Sequence, residues 1–162
     1  MYAIEFKDFM AQIPTCVSVL ATSTSTGVQA CTVSSITSYD VKNPGLFVVL
    51  QNKSKTLDAI ERTGNFSASI LTLEQKNLAL HFSSKEKNST RDTVVAFDFN
   101  REGSIPYLSS SLGVAFCKLE KTVALENSTI LLGRVTELIR LDNKSPLIYA
   151  NRQYSSLIRS SS

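Results

Sequence analysis

The chain has no tryptophan, one histidine, and only three cysteines, four prolines and six glycines in 162 residues. A single histidine and the lack of any CxxC pair leave a zinc site without a ligand set, so no metal is expected. Cys16, Cys31 and Cys117 are odd in number and far apart, which argues against a disulfide framework. No apolar run approaches the ~20 residues that cross a bilayer. The first twelve residues carry Glu5 and Asp8 instead of the long apolar stretch of a signal peptide. A cytoplasmic protein without membrane contact is expected, and the Asn-x-Ser/Thr matches at Asn52, Asn65, Asn88 and Asn127 then carry no meaning. No block of like charge is present and the net charge is only +3. That argues against the basic stripe of a dedicated nucleic-acid binder and leaves room for a small anionic ligand such as a phosphate.

Hydrophobic residues make up 43% and charged residues 19%, the balance of one ordinary globular domain spanning 1–162. Phe6, Phe9, Met10 and Ile13 follow the i, i+3, i+4, i+7 spacing of a short helix with one buried face, stopped by Pro14. Strands are expected over Cys16–Thr22, over Gln29–Ser38, and over the fully apolar Leu46–Leu50, with turns at Thr24–Gly27 and Asn43–Gly45. Ser54 reads as an N-cap and Gly64 as a stop for a helix over Ser54–Thr63. Phe66–Leu71 reads as a strand and Leu73–Phe82 as a second helix, followed by a polar surface loop over Ser83–Arg91. Leu112–Leu125 and Thr129–Leu141 alternate along their length and read as a long hairpin turning at Glu126-Asn-Ser128. Pro146–Tyr149 and Tyr154–Leu157 close the chain. About six antiparallel strands with few helices predict a closed barrel instead of a doubly wound parallel sheet.

Two segments carry candidate chemistry. Thr32-Val-Ser-Ser-Ile-Thr-Ser-Tyr39 is a strand end dense in hydroxyls. Gln51-Asn-Lys-Ser-Lys-Thr56 is a polar entry into a helix, where free N–H groups, the helix dipole, two hydroxyls and two lysines suit a phosphate. The same residues also read as an ordinary capped helix start with solvated lysines, and the hydroxyls as a strand facing water.

The chain resembles the flavin reductase domains of the FMN-binding split-barrel superfamily, the small reductase partners of two-component monooxygenases. Pro14-Thr-Cys-Val-Ser-Val-Leu-Ala-Thr22 is similar to that family's first strand, Thr32–Ser38 to its most characteristic segment, and Asn52–Thr56 to its phosphate-binding turn. Gly64-Asn-Phe66, Gln75, Leu78-Ala79, Phe82, Ala115, Cys117, Gly133-Arg-Val135, Pro146-Leu147 and Tyr154 follow in the family's order. The resemblance implies a mainly β, Greek-key antiparallel split barrel that forms a homodimer and binds FMN or FAD at the dimer interface. It implies a flavin reductase taking hydride from NADH or NADPH and supplying a partner monooxygenase. The implied flavin-binding residues are Thr32, Val33, Ser34, Ser35, Ile36 and Thr37 along the ring and ribityl chain. Gln51, Asn52, Ser54, Lys55 and Thr56 fall at the phosphate, and His81, Phe82 and Ser83 at a helix end closing over the flavin. His81 equally reads as a surface or capping histidine, and Phe82 as a core residue.

Some positions depart from the pattern. Glu126-Asn-Ser128 stands where the family usually has Gly-Asp-His. Ser128 is a candidate donor to the nicotinamide, as is Tyr154, though Asn127-Ser128 also reads as a plain hairpin turn. Cys16 replaces the glycine of Thr-Gly-Val, and of a terminal Gly-Arg-Tyr only Tyr154 is kept, after Arg152-Gln153. No catalytic acid, base or nucleophile is assigned, because hydride transfer is chemistry that cofactors supply. Two other readings use the same barrel: an FMN-binding electron-transfer flavoprotein that does not oxidise NAD(P)H, and a non-catalytic dimeric binding module.

Overall fold

The computed structural model describes residues 2–83, 95–102, 104–140 and 144–157. The loop expected over Ser83–Arg91 lies, from residue 84 onward, outside them. The chain begins with α1 (Tyr2–Ala11), then β1 (Thr15–Cys16), β2 (Ser18–Thr24), β3 (Gly27–Val33), β4 (Thr37–Asp40) and β5 (Gly45–Gln51). Next come α2 (Lys55–Thr63), β6 (Asn65–Ile70), a 3-10 turn (Leu73–Gln75) and α3 (Lys76–Ser83). The remainder holds β7 (Asp98–Phe99), β8 (Pro106–Tyr107), β9 (Gly113–Ala124), β10 (Ser128–Arg140), β11 (Ile148–Ala150) and β12 (Gln153–Ser155).

Seven strands form one antiparallel sheet in the order β3-β2-β6-β9-β10-β5-β4. Its two outermost strands, β3 and β4, are separated along the chain only by Ser34, Ser35 and Ile36. The step from Val33 to Thr37 reaches roughly 14 Å at full extension. Seven flat strands would spread over roughly 29 Å. The sheet therefore rolls until its edges nearly meet, which is the expected Greek-key split barrel.

Its interior is filled by Leu20, Val33, Leu46, Val48, Leu50, Phe66 and Leu131, closed by Leu57 and Ile60 of α2. Ser54 caps α2 by accepting the Leu57 N–H, and Gly64 ends it in the left-handed region at φ 71°, its own N–H donating to the Ile60 carbonyl at 2.8 Å. Removing the Ile60 side chain beyond Cβ would cost about 2–5 kcal/mol, because nothing can refill its place inside the roll. On the outer face, Val17, Val19, Leu71, Ala79, Leu108 and Leu147 make a second core beneath α3. β2 is therefore buried on both faces, as its two-sided apolar pattern requires.

Four expectations need correction. The apolar side of the first helix is not buried: Phe6 is 62% and Phe9 60% exposed, with Met10 and Ile13 also exposed. Periodicity announces an apolar face without saying what covers it. The expected strand over Gln29–Ser38 is two strands, because residues 34–36 must cross from one sheet edge to the other. Leu46–Leu50 is not buried throughout, since Phe47 and Val49 are half-buried. The second helix opens with a 3-10 turn, where the Gln75 amide oxygen accepts the Thr72 N–H at 3.1 Å. Beyond the long strands expected, β1, β7, β8, β11 and β12 are two or three residues each, too short for an alternation to show. No helix among the described residues is long and apolar enough to cross a membrane.

Candidate functional site

β3 lies at the edge of the sheet, and no strand among the described residues pairs with its outer side. Side chains alternate along it. Cys31 and Val33 point into the barrel core, while Thr32 faces α3 and donates a 2.7 Å hydrogen bond to the Ala79 carbonyl. With its side chain buried in the core, Val33 has only its backbone to offer a ligand. Past β3 the chain is held by Ser35, whose Oγ accepts the Val49 N–H and donates to the Val49 carbonyl, both at 3.2 Å. Ser34 is exposed, Ile36 is half-buried against the core, and Thr37 opens β4 opposite Phe47.

Two hollows meet at Ser34. The first, about 720 Å³, runs between β3, α3 and the β11–β12 hairpin. It is lined by Thr32, Val33 and Ser34 at the edge strand, by Lys76, Leu80 and Ser83 of α3, and by Tyr149, Arg152 and Tyr154 of the hairpin. The second, about 820 Å³, runs under α1 and includes Lys7, Cys16, Ser34, Ser35, Ile36, Thr37 and again Tyr149 and Arg152. Both volumes lie in the roughly 300–1,000 Å³ range of small-molecule sites. Lys7, Lys76 and Arg152 line these hollows, and no carboxylate does. The chain has 14 acidic residues against 17 basic ones, so this one-sided lining is a local property and favours an anionic ligand.

The aromatic wall is held tightly. Tyr149 and Tyr154 meet edge to face at 5.2 Å, and the Lys76 ammonium lies 6.0 Å from the Tyr154 ring. Burial and the neighbouring Tyr149 push the Tyr154 hydroxyl pKa up, against the lowering effect of its hydrogen bond with Ser83. At neutral pH it therefore stays protonated. Ser83 also donates to the Leu80 carbonyl at 2.9 Å. Phe82 packs into the outer core against Phe97, its ring 5.7 Å away, and half-buried His81 meets the Phe82 ring edge to face. Neither His81 nor Phe82 lines a hollow, whereas Ser83 does.

The α2 entry adjoins β3 on its other face. Thr56 is buried, and its side chain and that of Ser54 hydrogen bond with Cys31. Burial raises the Cys31 thiol pKa to about 11 despite those two bonds. The hydroxyl segment and the helix start thus flank one edge strand, but Gln51, Asn52, Ser54 and Thr56 line neither hollow. Lys55 lines a separate depression with Gln29, Asp58 and Arg62. The Asn52 side chain is taken up by the β9–β10 hairpin: it donates to the Leu125 and Glu126 carbonyls and accepts from Thr129. Ser128 pairs with Gln51 across β10 and β5 and lines neither hollow. Among the described residues, no group of three or more His, Cys, Asp or Glu could hold a metal ion.

Sequence reasoning did not find Lys7, Lys76, Tyr149 or Arg152. Arg152 carried one signal, as a departure from the glycine of the Gly-Arg-Tyr pattern. It occupies the second position of the two-residue β11–β12 turn at φ 60°, after Asn151 at φ 49°. Such a turn favours Asn then Gly, and a bulky side chain there is strained by about 1–2 kcal/mol.

Residues 10–157 match the sequence profile described as the flavin reductase like domain. The chain is 27% identical over 156 residues to the NADH-dependent FMN reductase AsuE2 of Streptomyces nodosus subsp. asukaensis, covering 94% of this chain and 84% of that one. It is 26% identical over 152 residues to the reductase component of the FADH(2)-dependent resorcinol hydroxylase of Rhizobium sp. (strain MTP-10005), covering 92% and 84%. In fold it is similar to the styrene monooxygenase flavin reductase of Pseudomonas putida S12, with TM-score 0.85 at 24% identity, covering 96% of this chain and 99% of that one.

Proposed function

Because the chain belongs to the flavin reductase like domain family, we propose that it is an NAD(P)H-dependent flavin reductase that passes hydride from NADH or NADPH to FMN or FAD. The observation that supports this most is the pair of cation-lined hollows meeting at Ser34, on the free edge of a hydroxyl-bearing strand. Their combined size suits two planar rings with phosphorylated tails. The residues present therefore fit a flavin.

Bound flavin supplies the hydride-accepting ring; the chain supplies orientation and charge. Backbone groups of Val33 and Ile36, with Thr32, Ser34, Ser35 and Thr37, line the ring and ribityl chain. The Thr32 and Ser35 hydroxyls are already engaged with Ala79 and Val49, so these two residues act by fixing the strand edge. Gln51, Ser54 and the opening turn of α2 receive the flavin phosphate across the edge of β3, with Lys53 and Lys55 as its exposed cations and with Asn52 and buried Thr56 fixing the turn. His81, Phe82 and Ser83 close the end of α3, and Tyr154 and Ser128 are offered to the nicotinamide. Two copies pair to complete the site, since the exposed apolar side of α1 suits a second chain better than water. The product is handed to a flavin-dependent monooxygenase. A reducing cytoplasm suits the three free cysteines.

The test is steady-state oxidation of NADH and NADPH with free FMN or FAD, with and without oxygen. Turnover that depends on added flavin supports the reading. No oxidation above background with any of the four pairs removes it.

A further inference from the structure

Arg152 is assigned to no part of the flavin, yet it combines three features. It lines both hollows, it holds a backbone conformation that glycine would adopt without strain, and its only side-chain partner among the described residues is Asp8 of α1. That ion pair, at 2.5 Å, is exposed on both sides, so water screens it and it is easily exchanged. Across the first hollow, on α3, stands Lys76, its ammonium 6.0 Å from the Tyr154 ring. No carboxylate lines the gap between them.

Resting on the reading above, we propose that Lys76 and Arg152 receive the diphosphate of the nicotinamide dinucleotide in the hollow between α3 and the β11–β12 hairpin. Arg152 then determines affinity for the hydride donor, not for the flavin. A guanidinium on a rigid two-residue turn offers a forked donor set that matches phosphate oxygens. The Tyr149–Tyr154 pair gives an apolar wall for a ribose or base. Thr32 and Ser34 on the facing side place the nicotinamide end next to the edge strand where the flavin ring is read. The dinucleotide competes with Asp8 for Arg152, so α1 is the element that yields on binding.

The variants are Arg152→Gly, which relieves the turn and so folds at least as well, Lys76→Gln, their double, and Asp8→Asn. Steady-state constants are measured for NADH and for reduced nicotinamide mononucleotide, which has no diphosphate. FMN binding is measured separately by fluorescence quenching, and NADH binding by calorimetry. The double variant is expected to raise the KM for NADH at least tenfold, with kcat, the KM for the mononucleotide and the FMN Kd within twofold of the unmodified protein. Asp8→Asn is expected to lower the KM for NADH, because Arg152 is released. An unchanged KM for NADH in the double variant overturns the proposal, and so does an equal loss of FMN affinity, which would give the two cations to the flavin. If the unmodified protein oxidises neither nucleotide, the reductase reading fails, yet calorimetry still decides this site. NADH binding lost in the double variant upholds it, and binding that is absent or unaltered overturns it.

Discussion

The Ser35 hydroxyl meets both backbone groups of Val49, accepting from its N–H and donating to its carbonyl, each at 3.2 Å. One side chain thus does the work of a strand partner where the chain crosses from β3 to β4. Ser35→Ala leaves both groups without that partner. A loss of about 1–3 kcal/mol in unfolding free energy is expected, read from the urea midpoint, together with weaker flavin binding because the strand edge is no longer fixed. A midpoint equal to that of the unmodified protein would show that water replaces the hydroxyl at no penalty.

Gly133 lies on β10 against two fully buried residues. A Cβ there would sit 2.6 Å from the Phe66 ring and 3.1 Å from Cys117 Cβ. Both neighbours belong to the barrel interior, so neither moves freely. Gly133→Ala is expected to destabilise the fold by about 1–3 kcal/mol through overpacking, seen as a lowered thermal midpoint. A retained midpoint would mean that the interior around Phe66 is looser than its packing indicates.

The thiols of half-buried Cys31 and buried Cys117 set a stability limit on the alkaline side. Burial raises Cys31 to about 11 and Cys117 to about 12, from an ordinary value of 9.0. Above that ordinary value the unfolded chain releases these protons while the folded chain keeps them. Their contribution is therefore whole below pH 9 and is lost as pH rises toward 11 and 12. Unfolding free energy is expected to fall through this window, and Cys31→Ala with Cys117→Ala should flatten that part of the profile. In the native protein at pH 8, a thiol reagent should label exposed Cys16 and spare the other two, as peptide mapping would show. Equal labelling of all three would contradict the burial.

Much of the fold is legible in the sequence because its signals are local. Ser54 and Gly64 bracket α2, and the alternation across Leu112–Leu141 marks the β9–β10 hairpin, since capping and pleat periodicity depend on near neighbours. Three features are not local. The break at residues 34–36 interrupts a run of Ser and Thr in which no apolar period exists to be interrupted. The face of α1 is correctly periodic, but exposure depends on what lies opposite. The hollow needs Lys76 and Arg152 together, and only the docking of α3 beside the last hairpin unites them. The hydroxyl-bearing segment and the helix start were legible as separate pieces. Their placement on two faces of the same edge strand follows from the rolled sheet.

Lys55 is exposed at the start of α2, so its removal should change stability by no more than about 0.5 kcal/mol. If it faces the flavin phosphate, Lys55→Ala should weaken FMN binding about tenfold, close to 1.4 kcal/mol, while riboflavin, which lacks the phosphate, binds as before. Fluorescence titration of both flavins checks this. Parallel losses for both would place the lysine elsewhere on the ligand, and no loss would remove it from the site.

The most direct measurement is an anaerobic titration of the purified protein, first with FMN or FAD and then with NADH or NADPH, followed by flavin absorbance and fluorescence. The account predicts that protein quenches the flavin, and that nicotinamide then bleaches the oxidised flavin band at a rate proportional to protein. Quenching without bleaching would leave an electron-transfer flavoprotein on this barrel. Neither quenching nor bleaching would contradict the central claim and leave a binding module.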